Sequence, residues 1–204
     1  MRLNCVSWVQ AGFSDKRDSA SVGAFRQAEI ARVQMPNFYN IIPSPVGHLT
    51  LIASDKGLMA VLWENEDPKR VGIDKGEQRD DFPLLLTTAQ QLHEYFDGSR
   101  KIFELPLHFH GTDFQQQVWQ ALLTIPYGET RSYLQIAQQI GNEKSVRAVG
   151  AANGKNPISI ITPCHRVIGS SGKLTGFAGG LEAKAFLLHL ESPTQQPDLW
   201  GVAS

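Results

Sequence analysis

A cysteine and a histidine stand side by side in the run PCHRV, as Cys164 and His165. A thiol is mostly protonated at neutral pH, and a basic neighbour shifts it towards the reactive thiolate. Because adjacent side chains of a strand point to opposite faces, His165 needs a turn or a bridging water to act on Cys164. The imidazole needs an orienting acceptor, for which Glu191 is the best-placed carboxylate and Glu182 the alternative. The run is compatible with nucleophilic chemistry, but taken alone it favours an inert buried cysteine beside a surface histidine, because free cysteine is among the most buried residue types.

The 204 residues have the composition of a globular protein, with 42% hydrophobic and 19% charged residues. No apolar run is long enough to span a bilayer, and the first ten residues, MRLNCVSWVQ, lack the apolar core of a secretory signal. The second cysteine, Cys5, is far from Cys164 and forms no CxxC motif with it. We therefore expect a cytoplasmic protein with free thiols and no membrane partner.

The net charge of −1 conceals an uneven distribution along the chain. Seven Lys/Arg residues stand against two Asp/Glu residues between Arg131 and Lys184, whereas acidic residues are in excess between Asn37 and His110. A local basic excess can attract a polyanion such as DNA. A solvated charged face accounts for the same count.

Composition divides the chain into four parts. Residues 1–35 are polar and without clear periodicity, so we expect a disordered extension or a start site placed too early, with Met35 as the alternative start. Residues 36–110 contain the runs FYNII, HLTLIA and LMAVLW, which predict an antiparallel meander, then a helix in FPLLLTTAQQLHEYF and a further strand in IFELPLHF. Residues 111–192 are mainly helical, and residues 193–204 form a tail.

The helical part has clear boundary signals. Thr112 with Gln115 and Ser132 with Gln135 each fit a capping box, and Gly141 stands where a left-handed helix end is expected. Asn142 is then predicted to cap a third helix in EKSVRAVGAAN. Two short helices across a glycine turn are typical of a helix-turn-helix, although many such pairs bind no nucleic acid.

The third helix has unusually small side chains. Ala148, Gly150 and Ala151 leave it smooth, and Lys144 and Arg147 are its long cations. Glycine inside a helix costs about 1 kcal/mol relative to alanine, so a packing or binding reason is expected for Gly150. Close packing on another helix and contact with DNA explain this pattern equally well.

Several motifs together identify a resemblance. The run PCHRVI at 163–168, the run SSGKLTGFAGGLEAK after it and SVRAVGAANGKNP before it are similar to those of the O6-alkylguanine-DNA alkyltransferases, or methylated-DNA–protein-cysteine methyltransferases. SPVGHLTLIASDKGL at 44–58 resembles the family's first domain. The resemblance implies an α+β fold, with a small ribonuclease H-like α/β domain followed by a winged helix-turn-helix domain. It also implies irreversible transfer of an alkyl group from O6-alkylguanine, or O4-alkylthymine, in double-stranded DNA to the protein's own cysteine, once per molecule.

The resemblance assigns roles residue by residue. Cys164 would attack the alkyl carbon, His165 would take the thiol proton through a water and Glu191 would orient the imidazole. Tyr133 would rotate the nucleotide and donate a proton to the departing guanine, while Arg147 would fill the vacated place in the base stack. Lys144, Ala148 and Ala151 would contact DNA from the recognition helix. Asn156, at the pocket, would be the hinge that ties this helix to the cysteine loop. The backbone of Val167 and of Phe177–Ala178 would line the alkylguanine pocket.

Departures from the family pattern limit these expectations. Phe177 and Ala178 replace the Tyr and Ser of some members, so only backbone contacts carry over there. Some members bind zinc, but Cys5, His48, His93, His108 and His110 lack metal-ligand spacing, and we expect no metal and no cofactor. We expect a monomer. Two other functions remain open: a lesion-binding module without catalysis, disfavoured by the presence of Cys164, and a Cys–His–Glu hydrolase, disfavoured by the absence of an oxyanion-hole motif.

Overall fold

The predicted meander is present at the start of the described region. The computed structural model describes residues 36–64, 66 and 70–192. Strands β1 (Phe38–Ile42), β2 (Leu49–Ser54) and β3 (Gly57–Trp63) pair antiparallel in sequence order, which confirms the prediction. A short strand that the polar sequence did not indicate, β4 (Glu77–Gln78), adds parallel to β1 and gives the order β3-β2-β1-β4. The predicted helix follows as α1 (Pro83–Phe96).

Both faces of this sheet are covered. Alternate residues of β3 separate two apolar clusters: Val61 and Trp63 join the larger cluster with α1, while Ala60 and Leu62 join a smaller cluster with Ile73. Every residue of β2 and β3 is buried. Apolar residues on both faces are what a strand between two packed layers requires.

The prediction of a strand in IFELPLHF is wrong. Within that run, Leu107 forms one isolated parallel bridge with Leu58, and no strand is formed. The backbone N–H of Leu58 donates to Pro106 (2.8 Å), and the N–H of His108 donates to Leu58 (2.8 Å). Further along the same edge strand, the N–H of Val61 donates to Pro157 (2.9 Å). The free edge of β3 is therefore covered by two irregular segments, which hides backbone groups that an exposed edge would offer to other chains.

The helical part follows the boundary signals closely. Helices α2 (Asp113–Leu123) and α3 (Tyr133–Gln139) begin with the two predicted capping boxes, both formed in full. Gly141 adopts φ +73°, as expected after a helix end. The prediction for Asn142 is wrong: its side chain caps nothing, and a 3₁₀ turn at 143–145 precedes α4 (Val146–Gly154).

Two further elements complete the fold. Strand β5 (Arg131–Ser132) pairs parallel with β6 (Val167–Ile168), which connects the start of the helix-turn-helix to the segment after Cys164. Helix α5 (Gly180–Glu191) closes the described chain. The architecture is mixed α+β, as predicted.

The sheet and the helical part share their principal core. Ile158, Ile160, Ile161, Ala183 and Leu187 from the second part pack with the buried residues of β2, β3 and α1. The residues described here belong to one compact unit. The predicted extension over 1–35 and the tail over 193–204 lie outside the described residues. In the described part of the chain, no helix has the length and apolarity needed to cross a membrane.

We expect Ile158→Ala to destabilise both parts together. Ile158 is fully buried and bridges to Val61, so its truncation removes apolar contacts on both sides of the shared core and costs about 2–5 kcal/mol. Urea unfolding followed by far-UV circular dichroism and by tryptophan fluorescence should show one coincident transition at a lower midpoint. Ile102→Ala, at a side chain 74% exposed, is the control and should change stability by less than about 0.5 kcal/mol. Separate transitions for the two signals would contradict a shared core.

Candidate active site

Cys164 lies below the surface at the start of a tight turn. A 3₁₀ turn spans Cys164–Arg166, and the N–H of Cys164 donates to Thr162 (2.8 Å). The thiol is free, and the residue is only 3% exposed. Four residues earlier, Ile160 adopts φ +73°, a conformation that costs a β-branched residue about 1–3 kcal/mol. Complete burial of the Ile160 side chain in the shared core holds this strained backbone in place.

Asn156 braces the loop that leads to the cysteine. Its side-chain Nδ2 donates to the Thr162 carbonyl (2.8 Å), and its Oδ1 accepts from the N–H of Ile158 (3.1 Å). Arg70, from the segment after β3, donates to the carbonyls of Asn156 (3.0 Å) and Gly154 (2.8 Å). The loop is thereby held at the end of α4 and against the first part of the chain.

The Glu191 carboxylate is the centre of a buried polar cluster. Oε1 lies 2.8 Å from His165 Nε2 and accepts from the Tyr95 hydroxyl (2.7 Å). Arg166 donates to both oxygens, from Nε at 2.8 Å and from Nη2 at 2.9 Å, and its Nη1 donates to the Ile125 carbonyl (2.6 Å). Of the two carboxylates that the sequence offered, Glu191 therefore contacts His165, whereas Glu182 is exposed in the first turn of α5.

These contacts determine the protonation of the histidine. Burial raises the pKa of Glu191, but the hydrogen bonds from His165 and Arg166 and the charge of Arg166 outweigh burial and hold it at about 2. Burial lowers the pKa of His165 despite the neighbouring carboxylate. A neutral imidazole beside a carboxylate must donate from Nε2, which leaves the lone pair on Nδ1. Nδ1 is buried and has no hydrogen-bond partner among the described residues, so it is the basic atom of this site.

The expected shift of Cys164 towards thiolate is not present in the resting arrangement. Burial raises the pKa of the Cys164 thiol, and this outweighs the opposing effects of Asn156, Arg70 and Lys184. The sequence indicated that a basic neighbour would shift the thiol towards thiolate, but burial of both side chains also lowers the pKa of His165. In the resting structure Cys164 is therefore a neutral thiol, and the residue that follows it is a neutral imidazole.

A second buried cation, Lys184, lies close enough to Cys164 to act on its thiol. Lys184 is fully buried, and its Nζ donates to the carbonyls of Val167 (2.6 Å) and Thr175 (3.2 Å). Burial lowers the pKa of Lys184 to about 8. The Tyr133 hydroxyl lies 2.8 Å from Thr175 Oγ1, so the start of α3 contacts the same loop. Phe177 is half-buried and Ala178 exposed further along this loop.

The outer face of α4 matches the small-residue pattern. Arg147, Ala148 and Ala151 are exposed on it, and Lys144 is exposed in the preceding 3₁₀ turn. Val149, Ala152 and Asn153 form the buried face. A Cβ at Gly150 would lie 3.8 Å from the Tyr133 ring, an ordinary contact distance, so packing within the chain does not demand glycine there.

Fewer cations lie on the surface between Arg131 and Lys184 than the sequence predicts. Of the seven cations between Arg131 and Lys184, Arg166 and Lys184 are buried and bind internal carboxylate or carbonyl groups. Those two charges stabilise the site instead of facing a polyanion. The exposed cations on α4 and directly beside it are Lys144, Arg147 and Lys155.

Metal ligands do not cluster in the described region. Across residues 36–64, 66 and 70–192, no three His, Cys, Asp or Glu side chains lie close enough together to hold a metal ion. Cys5 lies outside that region.

Four side chains of the site were not singled out from the sequence. The position of Arg166 directly after His165 in PCHRV could have marked it as a site residue. An arginine in a sequence is, however, normally expected to lie on the surface. Lys184 was misread for the same reason. Tyr95 and Arg70 reach the site from the first part of the chain, and no local pattern in the sequence marks such long-range contacts.

We expect Glu191→Gln to remove both the base geometry and a large part of the stability. The change leaves Arg166 buried without its carboxylate, which costs about 3–5 kcal/mol at pH 7. In the wild type, the depressed Glu191 pKa contributes stability that is present above about pH 4.5 and lost as the pH falls towards 2. Urea denaturation from pH 7 to pH 3 should therefore show a steeper acid loss for the wild type than for the variant.

Glu182→Gln is the matched control, because Glu182 is exposed on the same helix. It should unfold within about 0.5 kcal/mol of the wild type at each pH. Equal acid sensitivity of wild type and Glu191→Gln would show that the Glu191 cluster does not stabilise the fold.

Known protein families match both parts of the chain. The family profile described as "6-O-methylguanine DNA methyltransferase, ribonuclease-like domain" matches residues 37–109, and "6-O-methylguanine DNA methyltransferase, DNA binding domain" matches residues 113–193. A methylated-DNA–protein-cysteine methyltransferase of Methanosarcina barkeri is 48% identical over 162 residues, covering 76% of this chain and 96% of that protein.

Solved structures give the same assignment. The O6-methylguanine methyltransferase of Mycobacterium tuberculosis matches with a TM-score of 0.70 and 47% identity, covering 80% of this chain and 97% of that chain. The structure of M. tuberculosis OGT in complex with DNA matches with a TM-score of 0.68 and 48% identity, covering 79% and 97%. The chain belongs to the O6-methylguanine DNA methyltransferase family.

Proposed function

We propose that this protein repairs O6-alkylguanine in double-stranded DNA by transferring the alkyl group irreversibly to Cys164, and that O4-alkylthymine is a second substrate. The observation that carries the proposal is the buried thiol of Cys164 followed directly by a histidine whose Nε2 is held 2.8 Å from Glu191 and whose buried Nδ1 has no hydrogen-bond partner within the described residues. This arrangement supplies a nucleophile and a base in one water-poor place.

The transfer requires one proton to leave the thiol and one to reach the base that departs. His165 Nδ1 takes the thiol proton through a bridging water, and the sulfur then attacks the alkyl carbon. The carbon–oxygen bond breaks, its electron pair goes to O6 of guanine, and the Tyr133 hydroxyl donates the proton that the guanine needs. The product is a thioether on Cys164. The Cys164–His165–Glu191 set offers no route to hydrolyse it, so each molecule acts once.

The buried position of Cys164 demands that the nucleotide leave the duplex. A base inside a double helix cannot reach a thiol that is 3% exposed, and flipping it out costs a few kcal/mol. Arg147, exposed on α4, would enter through the minor groove and fill the gap. The exposed Ala148 and Ala151 allow close approach, and Lys144 meets a phosphate.

The loop after β6 would form the alkylguanine pocket. The backbone of Val167 and of Phe177–Ala178 would line it, and Asn156 would couple the end of α4 to the cysteine loop through its bond to Thr162. We place the protein in the cytoplasm as a monomer that acts without a cofactor. A reducing compartment suits a free thiol.

Two other functions make different predictions. A lesion-binding module would bind alkylated DNA without modification of Cys164. A Cys–His–Glu hydrolase would release its product and turn over. Neither explains a thiol placed beside an exposed helix-turn-helix face as directly as alkyl transfer does.

Incubation with a duplex carrying one O6-methylguanine should add a single methyl-sized mass to the intact protein. The gain should saturate at one per molecule and map to Cys164 by peptide mass spectrometry, because the thioether cannot be released. Cys164→Ser keeps a small polar side chain at the site and should bind the same duplex without gaining mass. Bound DNA with unmodified wild-type protein would leave a lesion-binding module, and multiple turnovers would indicate a hydrolase.

Arg147→Ala should slow the reaction with duplex DNA but not with free O6-benzylguanine. The free base needs no flipping, whereas loss of a contribution of about 1.4–2.8 kcal/mol to flipping slows the duplex reaction about 10- to 100-fold. Single-turnover rates on both substrates measure the difference. Lys56→Ala removes an exposed cation from the β2–β3 turn and is the charge-matched control. An equal loss on both substrates would mean that Arg147 supports the pocket instead of base flipping.

A further inference from the structure

We propose that Trp63, at the end of β3, determines which alkyl groups the protein accepts, because its indole fixes the position of the pocket loop at 175–180. This inference rests on the alkyl transfer proposed above and identifies a specificity-determining residue outside the DNA-binding part of the chain. Trp63 touches no reacting atom and acts through the loop, so it is a positioning residue.

The indole itself is held rigidly. Trp63 is 6% exposed within the shared core, and its Nε1 donates to Ser159 Oγ at 3.2 Å. Ser159 belongs to the segment that leads to Cys164, and in the same segment the carbonyl of Pro157 accepts from the N–H of Val61. The ring is therefore oriented from the cysteine segment on one side and from the sheet on the other.

The pocket loop lies directly on this ring. A Cβ added to Gly179 would lie 2.5–2.7 Å from three atoms of the indole, closer than any side chain tolerates. Gly179 has φ −81°, a value open to any residue, so backbone conformation does not demand glycine there. The close contact with Trp63 is what requires glycine at position 179. Gly180, with φ +84°, is the position where the turn itself favours glycine.

Phe177 completes the contact from the same side. Its ring meets the indole edge-on, with centroids 5.3 Å apart and planes at 67°, a favourable geometry for aromatic pairs. The N–H of Gly180 donates to the Phe177 carbonyl (3.0 Å), which closes the turn over the indole. At the other end of the loop, Thr175 is held by Lys184 and Tyr133. The indole therefore packs against the back of the pocket loop, whose other side would face the alkyl group. This contact prevents the loop from moving away from the alkyl group.

Trp63→Leu tests the proposal, because it leaves space behind the loop. With duplexes carrying O6-methylguanine or O6-benzylguanine, single-turnover rates are divided by the fraction of Cys164 that reacts at saturation. The benzyl-to-methyl rate ratio should rise about tenfold, the lower end of the discrimination that methylene-sized differences give in apolar pockets. Transfer of methyl should stay within about threefold of the wild type, since the smaller group does not reach the wall.

Gly179→Ala tests the same contact from the loop side. Its Cβ must push the loop away from the indole and into the pocket, so the benzyl rate should fall more than the methyl rate. Removing the indole removes the clash, so Trp63→Leu combined with Gly179→Ala should recover the benzyl rate. The two changes should therefore be strongly non-additive.

Two controls separate positioning from loss of stability. Leu62→Ala truncates a side chain on the face of β3 opposite to Trp63. It destabilises the same strand but does not touch the pocket loop, so it should leave the benzyl-to-methyl rate ratio unchanged. Trp63→Phe keeps an aromatic support but loses the bond to Ser159, and should keep the ratio closer to the wild type than Trp63→Leu does. If Trp63→Leu does not fold, Trp63→Phe with Gly179→Ala provides the coupling measurement.

Two results would overturn the proposal: a benzyl-to-methyl ratio within twofold of the wild type in folded Trp63→Leu, or an equal cost of Gly179→Ala with the indole and with its replacement at position 63. Failure of the underlying function gives a different result, because the wild type would then gain no methyl group.

Discussion

The buried carboxylate of Glu191 is the constraint on which the rest of the site depends. A buried charge is stable only when opposite charges and hydrogen bonds replace the water that it loses. Arg166 forms a bidentate ion pair with this carboxylate, and His165 and Tyr95 form hydrogen bonds with the same group. Tyr95 comes from α1, so the first part of the chain must dock on the second before the charge is satisfied. Docking and assembly of the catalytic set are therefore one event.

The same carboxylate helps to explain why the Cys164 thiol is unreactive in the resting protein. Because Glu191 fixes Nε2 as the donor, Nδ1 is a base in the neutral ring, while burial keeps the Cys164 pKa high. A permanently ionised thiolate would react with any electrophile or oxidant that reached it. A buried thiol with a base nearby becomes nucleophilic when its proton moves, and access is limited to a group delivered into the pocket. Selectivity for alkylated bases thus follows from burial as much as from recognition.

The sequence predicted local structure well and long-range contacts poorly, for physical reasons. The capping boxes at Thr112 and Ser132 depend on residues three apart, so their signals are complete within the local sequence. The segment IFELPLHF has strand-like composition, but its backbone partners are the edge of β3, and their geometry allows one bridge. Arg166 and Lys184 were counted as surface cations because charge normally remains in water. Their burial depends on carbonyl and carboxylate groups that only the folded chain brings to them.

Burial of these two cations changes how binding to DNA must work. Each phosphate contact that a protein forms adds to affinity by releasing counterions, so a surface with few exposed cations gains little from that source. Close approach must then supply more of the binding energy, and the small exposed Ala148 and Ala151 with the neighbouring Gly150 would allow it on the recognition face proposed for α4. Among the exposed residues of α4 itself, Arg147 carries the long polar side chain, and the alanines beside it offer no group that reads base edges. That property suits a protein that meets damage in any sequence, because discrimination then belongs to the pocket around Cys164 and to the loop that Trp63 supports.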